Sequence, residues 1–432
     1  MQAVTVGCAL RPAAVTERPL RLAALVSHPI QYFAPLYREL AARPDVDLTV
    51  YFCSRQGVDE YVDREFGQRF SWDVPLLAGY HYQVLPAMRG DRGVGGFWSL
   101  TNPTIVTELR RGAFDALWVH GYMHATNWIA YLAASAFRVP VLLRGESNLL
   151  GRRPALRQAV KSGVLRALFY LAAGCLYVGS RNREYYQHYG VPRQKLYFAP
   201  YSVDNAFFRR QAELLAPRRA ELKAGFGIPP DLPVVVFVGK LVAKKQPLRL
   251  LAAYARARRR APCALLVAGS GPLEKRFREQ IAADAIPDVH LAGFLNQGQI
   301  SQAYAVADVL ALPSTWETGD DETWGLAVNE AMNFGVPVVI TDQVGCAGDL
   351  VQDGRNGFVV PHDSTEALAS ALSILAGNAA LRRTFGARSL ATIGSWGLEA
   401  TADGVVAAAR AVSARRMAAA RCQVYDSNSN IV

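Results

Sequence analysis

The feature that most constrains this chain is an alternation that runs almost end to end: short, wholly apolar runs separated by longer stretches with apolar residues at helical spacing. A run that is apolar at every position, not at every second one, reads as a strand buried on both faces, which is what a parallel sheet sandwiched between helices requires. In the first half, Leu22 to Val26, Ala116 to Val119, Val139 to Leu143 and Cys175 to Val178 are such runs, and Leu48 to Phe52, Tyr82 to Leu85 and Lys195 to Phe198 read as further strands. Helical patterns separate them, among them Tyr32 to Ala42, Asn127 to Phe137 and Pro154 to Ala173. A second series opens at Val234 to Val238 and continues through Leu265 to Ala268, Val289 to Ala292, Val309 to Leu312, Val338 to Ile340 and Phe358 to Val360. The expected class is α/β, with two consecutive Rossmann-like, doubly wound sheets. The 432 residues are enough for two ordinary domains. The expected organisation is a loose extension over 1–19, a first domain over 20–204, a charged, proline-bearing linker over 205–232, a second domain over 233–396, and a closing helix and tail over 397–432.

Composition narrows the function. The six cysteines are scattered without close pairs, which argues for a reducing compartment and against a disulfide framework or a zinc site. The longest apolar stretch, Val164 to Val178, is interrupted by Arg166 and too short to span a bilayer, and a signal-like leader is not evident, so a cytoplasmic protein is expected. The net charge of +11 suits an anionic partner: nucleotide phosphates, an anionic membrane surface or nucleic acid. No basic patch interleaved with aromatics of the RNA-binding kind is present, which tells against the last.

Between the apolar runs at 309–312 and 336–340 lies the stretch Trp316 to Gly335, which reads as one helix entered through Asp320, Asp321, Glu322 and Thr323, with Leu326, Ala327, Ala331 and Phe334 as its apolar stripe and Gly335 with Pro337 as its stop. Glu322 then stands at the helix mouth and Glu330 about two turns in. Gly325 bares the free N–H groups of the first turn, where the macrodipole favours phosphate. Two carboxylates flanking a glycine-opened helix start suit a ligand with sugar hydroxyls at both ends and phosphates between, the layout of a nucleotide sugar.

These residues resemble the signature of the retaining GT-B glycosyltransferases, especially glycosyltransferase family 4. The resemblance is carried by Pro313-Ser314, Glu322-Thr323-Trp324-Gly325-Leu326, Glu330-Ala331-Met332, Gly335-Val336-Pro337-Val338, Val344 to Leu350 and Asp353-Gly354-x-x-Gly357. The chain departs from that pattern at Thr323-Trp324 and at Cys346-Ala347. The resemblance implies two Rossmann-like domains facing across a cleft, with the last helix crossing back onto the first. It also implies a nucleotide-sugar donor, UDP- or GDP-linked, a glycan, lipid-linked or small-molecule acceptor, and no required cofactor. By the same resemblance Glu330 and the Gly325-Leu326 helix start bind the donor with Trp324, Glu322 serves the donor sugar, and reaction proceeds with retention, the leaving phosphate taking the acceptor's proton.

Gly239 to Pro247 follows the first strand of the second half and places Lys240 and Lys245 at the sheet's carboxyl rim, where two ammonium groups can flank a diphosphate; a solvated basic loop is the alternative. Gly269 and Gly271 open another βα turn, for phosphate contact or for packing, and Gly293 ends a strand where the family holds the base. In the first half His120 follows a strand and is expected to face the cleft, with His124 as its rival. Ser27 to Phe33 lacks the Gly-x-Gly-x-x-Gly of NAD binding; His28 and Tyr32 are acceptor candidates there, capping and packing being equally good explanations. Arg144 and Glu146, with Ser147 and Asn148, form a second acceptor candidate or a polar surface loop. Arg152, Arg153, Arg157, Lys161 and Arg166 surround an amphipathic segment that reads as a solvated face or an anionic-membrane contact. No metal site is expected: Asp45-Val46-Asp47 reads as a turn, and Asp320-Asp321-Glu322 as helix capping. The other readings kept are a GT-B epimerase or phosphorylase, and a binding protein derived from the fold.

Overall fold

The computed structural model describes residues 18–63, 68–91, 93–151, 155–316 and 321–429. The extension up to residue 17, Arg152, Arg153 and Asp320 lie outside the described residues, as does the side chain of Arg157. The first lobe runs β1 (Leu20–Val26), α1 (Phe33–Ala41), β2 (Val46–Phe52), β3 (Tyr61–Asp63), β4 (Gln68–Phe70), β5 (His81–Val84), α2 (Ile105–Gly112), β6 (Ala116–His120), α3 (Ala125–Ala136), β7 (Val141–Arg144), α4 (Ala155–Leu171), β8 (Gly174–Tyr177), α5 (Ser180–His188) and β9 (Leu196–Phe198). Seven of these strands form a parallel sheet in the order β5-β2-β1-β6-β7-β8-β9, and β3 and β4 make a separate antiparallel pair that the periodicity did not announce.

After α6 (Asn205–Leu215) and α7 (Arg219–Gly225), the second lobe runs β10 (Val234–Val238), α8 (Pro247–Arg260), β11 (Ala264–Ala268), α9 (Glu274–Ala283), β12 (Val289–Gly293), α10 (Gln297–Val306), β13 (Val309–Leu312), α11 (Leu326–Met332), β14 (Val338–Thr341), β15 (Gly357–Val360), α12 (Thr365–Gly377), α13 (Ala379–Gly394) and α14 (Leu398–Ser429). Its six strands lie parallel in the order β12-β11-β10-β13-β14-β15. The order reverses beside β10 and β13, so the loops after those two strands open a crevice at the sheet's carboxyl end.

Both sheets are covered on both faces, which accounts for the unbroken apolar strands. Along β10, Val234 and Val236 point to one core with Leu310, Tyr304 and Val328, while Val235 and Phe237 point to the other with Leu250, Tyr254 and Leu368. Residues 205–232, expected as a linker, are instead built into the second lobe: Phe208, Leu215, Leu222 and Ile228 lie in the former core. The last helix does cross back. Ala402, Val405, Ala409 and Val412 of α14 share a core with Leu22, Ala24 and Trp118 of the first sheet, and Arg410 and Arg43 add ion pairs to Asp45 and Asp403. Asp45 and Asp47 are thus paired with Arg410 and Arg21, with Asp47 inside β2 and not in a turn.

Candidate functional site

A cavity of about 280 Å³ opens between the lobes at the carboxyl ends of β10, β11 and β13. Gly239, Lys245, Gly269, Glu322, Gly325, Leu326 and Glu330 line it from the second lobe, and Gln31, Tyr32, Trp72, Glu146 and Tyr201 from the other side. Lys245 and the helix start beside Gly325 therefore share one hollow facing the first lobe. Lys240, Gly271 and Gly293 are not among its lining residues: Gly271 packs against the backbone of Leu241, and the Gly293 carbonyl accepts from Gly269 N at 2.7 Å.

The helix at the mouth is shorter than its sequence pattern. It begins at Leu326, capped by Gly325 in the left-handed region at φ 98°, and its first turn carries no acidic residue. Glu322 thus belongs to the loop before the helix, and Glu330 lies little more than one turn in. That loop is strapped to the next one: Gly345 N donates to the Glu322 carbonyl at 3.0 Å and Cys346 N to the Trp324 carbonyl at 3.0 Å. A Cβ on Gly345 would stand 1.7 Å from the Thr323 carbonyl oxygen, so only glycine allows the two loops to lie this close. The strap holds the Glu322 carboxylate against the Lys245 ammonium, and the Ser314 hydroxyl donates to the same carboxylate at 3.2 Å. Both partners are largely shielded from solvent, which strengthens the pair relative to a surface one.

Glu330 is buried, and burial lifts its carboxyl from the ordinary 4.5 to about 7, although hydrogen bonds from Tyr304 and Tyr32 pull the other way. The Tyr304 hydroxyl donates to Oε2 at 2.6 Å, and Oε1 faces a region with too few donors to satisfy a carboxylate. A carboxylate with acceptor capacity to spare, inside a cavity, is suited to take hydrogen bonds from a ligand's hydroxyls. Tyr32, expected on the acceptor side, reaches across from the first lobe and packs on the second lobe's core at this carboxylate. Trp324, expected to bind the donor, is among the residues lining the cavity, while its indole is 2% exposed, donates its N–H to Asn329 Oδ1 at 2.9 Å and packs between Tyr201 and Trp396.

The first-lobe wall also departs from expectation. His120 ends β6 and packs its ring on the Phe33 ring, with centroids 4.6 Å apart, and its Nε2 meets the Tyr37 hydroxyl at 3.4 Å. Burial and the neighbouring Arg144 hold it well below the ordinary histidine value, and it is not among the residues lining the cavity. His28 bonds Ser27 and is pushed down to about 4 by burial and by His124, again off the cavity wall. The Arg144 guanidinium is 2% exposed, stacked between Phe33 and Tyr201 at 4.6 and 4.7 Å, with Glu146 at 3.8 Å. It is no polar surface loop. Glu146 borders the cavity, and burial raises its carboxyl above the ordinary range against the opposing effects of Arg144 and the Tyr201 hydroxyl.

Sequence reasoning missed Tyr304, Tyr201, Trp72 and Gln31. The lobes also meet over the cavity, where Asn296 Nδ2 donates to the Ser71 carbonyl at 3.0 Å and Gly298 N to Asp73 at 3.0 Å. Helix α4 exposes Val160, Val164, Tyr170 and Leu171 beside Arg166. Among the described residues no helix is long and apolar enough to cross a membrane, and no group of three metal-ligating side chains comes together.

Residues 218–390 match the sequence model of the family described as Glycosyl transferases group 1. The chain is 26% identical over 337 residues to an alpha-D-kanosaminyltransferase of Streptomyces kanamyceticus, covering 74% of this chain and 83% of that protein. It is 30% identical over 286 residues to a GDP-mannose-dependent alpha-(1-6)-phosphatidylinositol monomannoside mannosyltransferase of Mycobacterium tuberculosis, covering 64% of this chain and 71% of that one. Among solved structures, Anabaena HepE in complex with UDP and glucose superposes with a TM-score of 0.65 at 16% identity, over 90% of this chain and 98% of that one. Two Rossmann-like parallel sheets in this arrangement form the GT-B fold.

Proposed function

The chain belongs to the group 1 glycosyl transferases, and from that premise we propose a retaining hexosyltransferase of the family 4 kind that takes a UDP- or GDP-linked sugar as donor. The observation that carries the reading is the convergence of Lys245, Glu322, Glu330 and the Gly325-capped helix start on one cavity between the lobes. Glu330 accepts the ribose hydroxyls through its under-used oxygen. The diphosphate lies between the first turn of α11 and Lys245, with Lys240 on the same loop; His120, which is not among the lining residues, is left out of the contact set. As the diphosphate arrives it draws Lys245 away from Glu322, and the released carboxylate turns to the donor sugar's hydroxyls.

In the reaction the bond from the anomeric carbon to the leaving phosphate oxygen breaks, and a bond to the acceptor oxygen forms on the same face. The acceptor's proton passes to the departing phosphate. Negative charge grows on the diphosphate as this happens, so Lys245 and the helix N–H groups act where charge develops, a contribution on the order of 3–4 kcal/mol when one such donor is removed. The counter-charge in this scheme is supplied by protein groups and no metal is assigned a role, so chelator is expected to leave the rate unchanged. The acceptor is a glycan, a lipid-linked glycan or a hydroxylated small molecule, met in the cytoplasm.

The test is transfer by the purified chain from a panel of UDP- and GDP-sugars, with the anomeric configuration of the product read by proton NMR. Glu322→Ala is expected to abolish transfer while the protein stays folded. Wild-type turnover in that variant, or a product of inverted configuration, would refute the mechanism; interconversion of free nucleotide sugars or phosphorolysis would point to the epimerase or phosphorylase reading.

A further inference from the structure

A second cavity, of about 520 Å³, lies beside the first and is likewise shared by both lobes. Tyr185 and Tyr189, at the end of α5, form its floor. Gln158 of α4 donates its amide to the Tyr189 hydroxyl at 2.7 Å, and the Lys161 ammonium lies 5.3 Å over the Tyr185 ring. Asn148 is 8% exposed; its Oδ1 accepts from Leu150 N at 3.0 Å, and its Nδ2 has no hydrogen-bond partner among the described residues. Trp316 and Asp321 close the cavity from the second lobe, the indole lying where a side chain on Gly151 would have to be.

The two cavities adjoin at two separate crossings of the chain. Glu146 borders the central cavity and its neighbour Ser147 the second. Independently, Glu322 borders the central cavity and its neighbour Asp321 the second. At both places the chain passes within one residue from the wall of the central cavity to the wall of the second. We infer that this cavity is the acceptor subsite and that it binds a neutral sugar of a glycan acceptor, an assignment that rests on the central cavity's being the donor site. The lining chemistry selects that class. The partly exposed Trp316 indole offers an apolar face to the C–H face of a pyranose ring, and two side-chain amides with a tyrosyl hydroxyl offer both donors and acceptors to its hydroxyls. Among the described residues, and apart from the tyrosines, its titratable lining side chains are the Lys161 ammonium, the Asp321 carboxylate and the His188 imidazole.

The experiment titrates the whole chain with maltose, cellobiose, isomaltose and lactose by saturation-transfer NMR, with and without UDP. Thermal shifts with UDP and GDP are recorded on the same samples. Gln158 and Trp316 are only partly buried, so Gln158→Ala and Trp316→Ala are chosen, and an unaltered nucleotide shift certifies their folding. The expected result is that wild type binds at least one disaccharide, that UDP does not displace it, and that each variant weakens it tenfold or more. A wild type that shifts with nucleotide but binds no neutral disaccharide, variants that bind as tightly as wild type, or displacement by UDP would overturn the subsite alone. A wild type that gives no shift with any nucleotide would overturn the donor reading beneath it.

Discussion

Replacing Glu330 by Gln is expected to make the free protein more stable and a poorer nucleotide binder. Glu330 is 3% exposed, and burial carries its carboxyl from 4.5 to about 7. The folded value stands above the unfolded one, so between the two the folded chain keeps a proton that the unfolded chain has released. Stability is therefore lost as pH rises through that window, and the loss levels off above about pH 7. At about 1.36 kcal/mol per pKa unit the whole loss comes to roughly 3 kcal/mol, of which about 2.5 kcal/mol falls between pH 5 and pH 8. Gln keeps the shape, still accepts from the Tyr304 hydroxyl, and never ionises. Melting midpoints followed across that range should thus fall farther in wild type than in Glu330→Gln. At roughly 2–4 °C per kcal/mol for a unit of about 150–250 residues, the two curves should separate by about 5–10 °C. Other titrating groups are common to both proteins and cancel in the comparison. Nucleotide should reverse the order: wild type gains stability with UDP or GDP by mass action, and the variant gains much less. Parallel curves across pH, or an undiminished nucleotide shift in the variant, would refute the picture of Glu330 as a costly buried charge kept for its ligand.

Two further substitutions test the walls of the site. Gly345→Ala puts a methyl group where the Thr323 carbonyl oxygen now is, and is expected to cost about 3 kcal/mol in chemical denaturation and most of the transfer rate, because the mouth loop must leave its strap; an unchanged midpoint would show that the loops part freely. Arg144→Met keeps the stacked bulk between Phe33 and Tyr201 while removing a buried charge, so stability is expected to hold or rise, whereas Arg144→Ala leaves a gap and should lose roughly 2–4 kcal/mol. Equal losses in both variants would mean that the charge, not the packing, is what the site needs.

How much of this was legible in the sequence follows from the range over which each feature is set. The strands were legible because burial on both faces leaves a local mark, an apolar residue at every position of Val234 to Val238 or Val309 to Leu312. Residues 205–232 were misread for the opposite reason: their core contacts, Phe208, Leu215 and Leu222, are thinly spaced among charged residues, and only the packing against α10 separates such helices from a linker. Glu322, Glu330 and Gly325 were legible because one contiguous loop and helix positions all three. Their partners were not. Tyr304 stands 26 residues from Glu330, and Tyr32 comes from the other lobe, so no spacing marks either as a donor to that carboxylate. His120 shows the same limit from the other side: its place after a strand gave the correct edge of the sheet, but its contacts with Phe33 and Tyr37 of α1 come from residues more than 80 positions away. A ligand drawn only from the motif would therefore find its carboxylates free, whereas in the folded chain Glu322 is held by Lys245 and Glu330 by two tyrosines. In the proposed mechanism the donor must trade the Glu322–Lys245 pair for bonds of its own, whereas Glu330 still has an oxygen to offer, and affinity measures the difference between bonds lost and gained, not their sum.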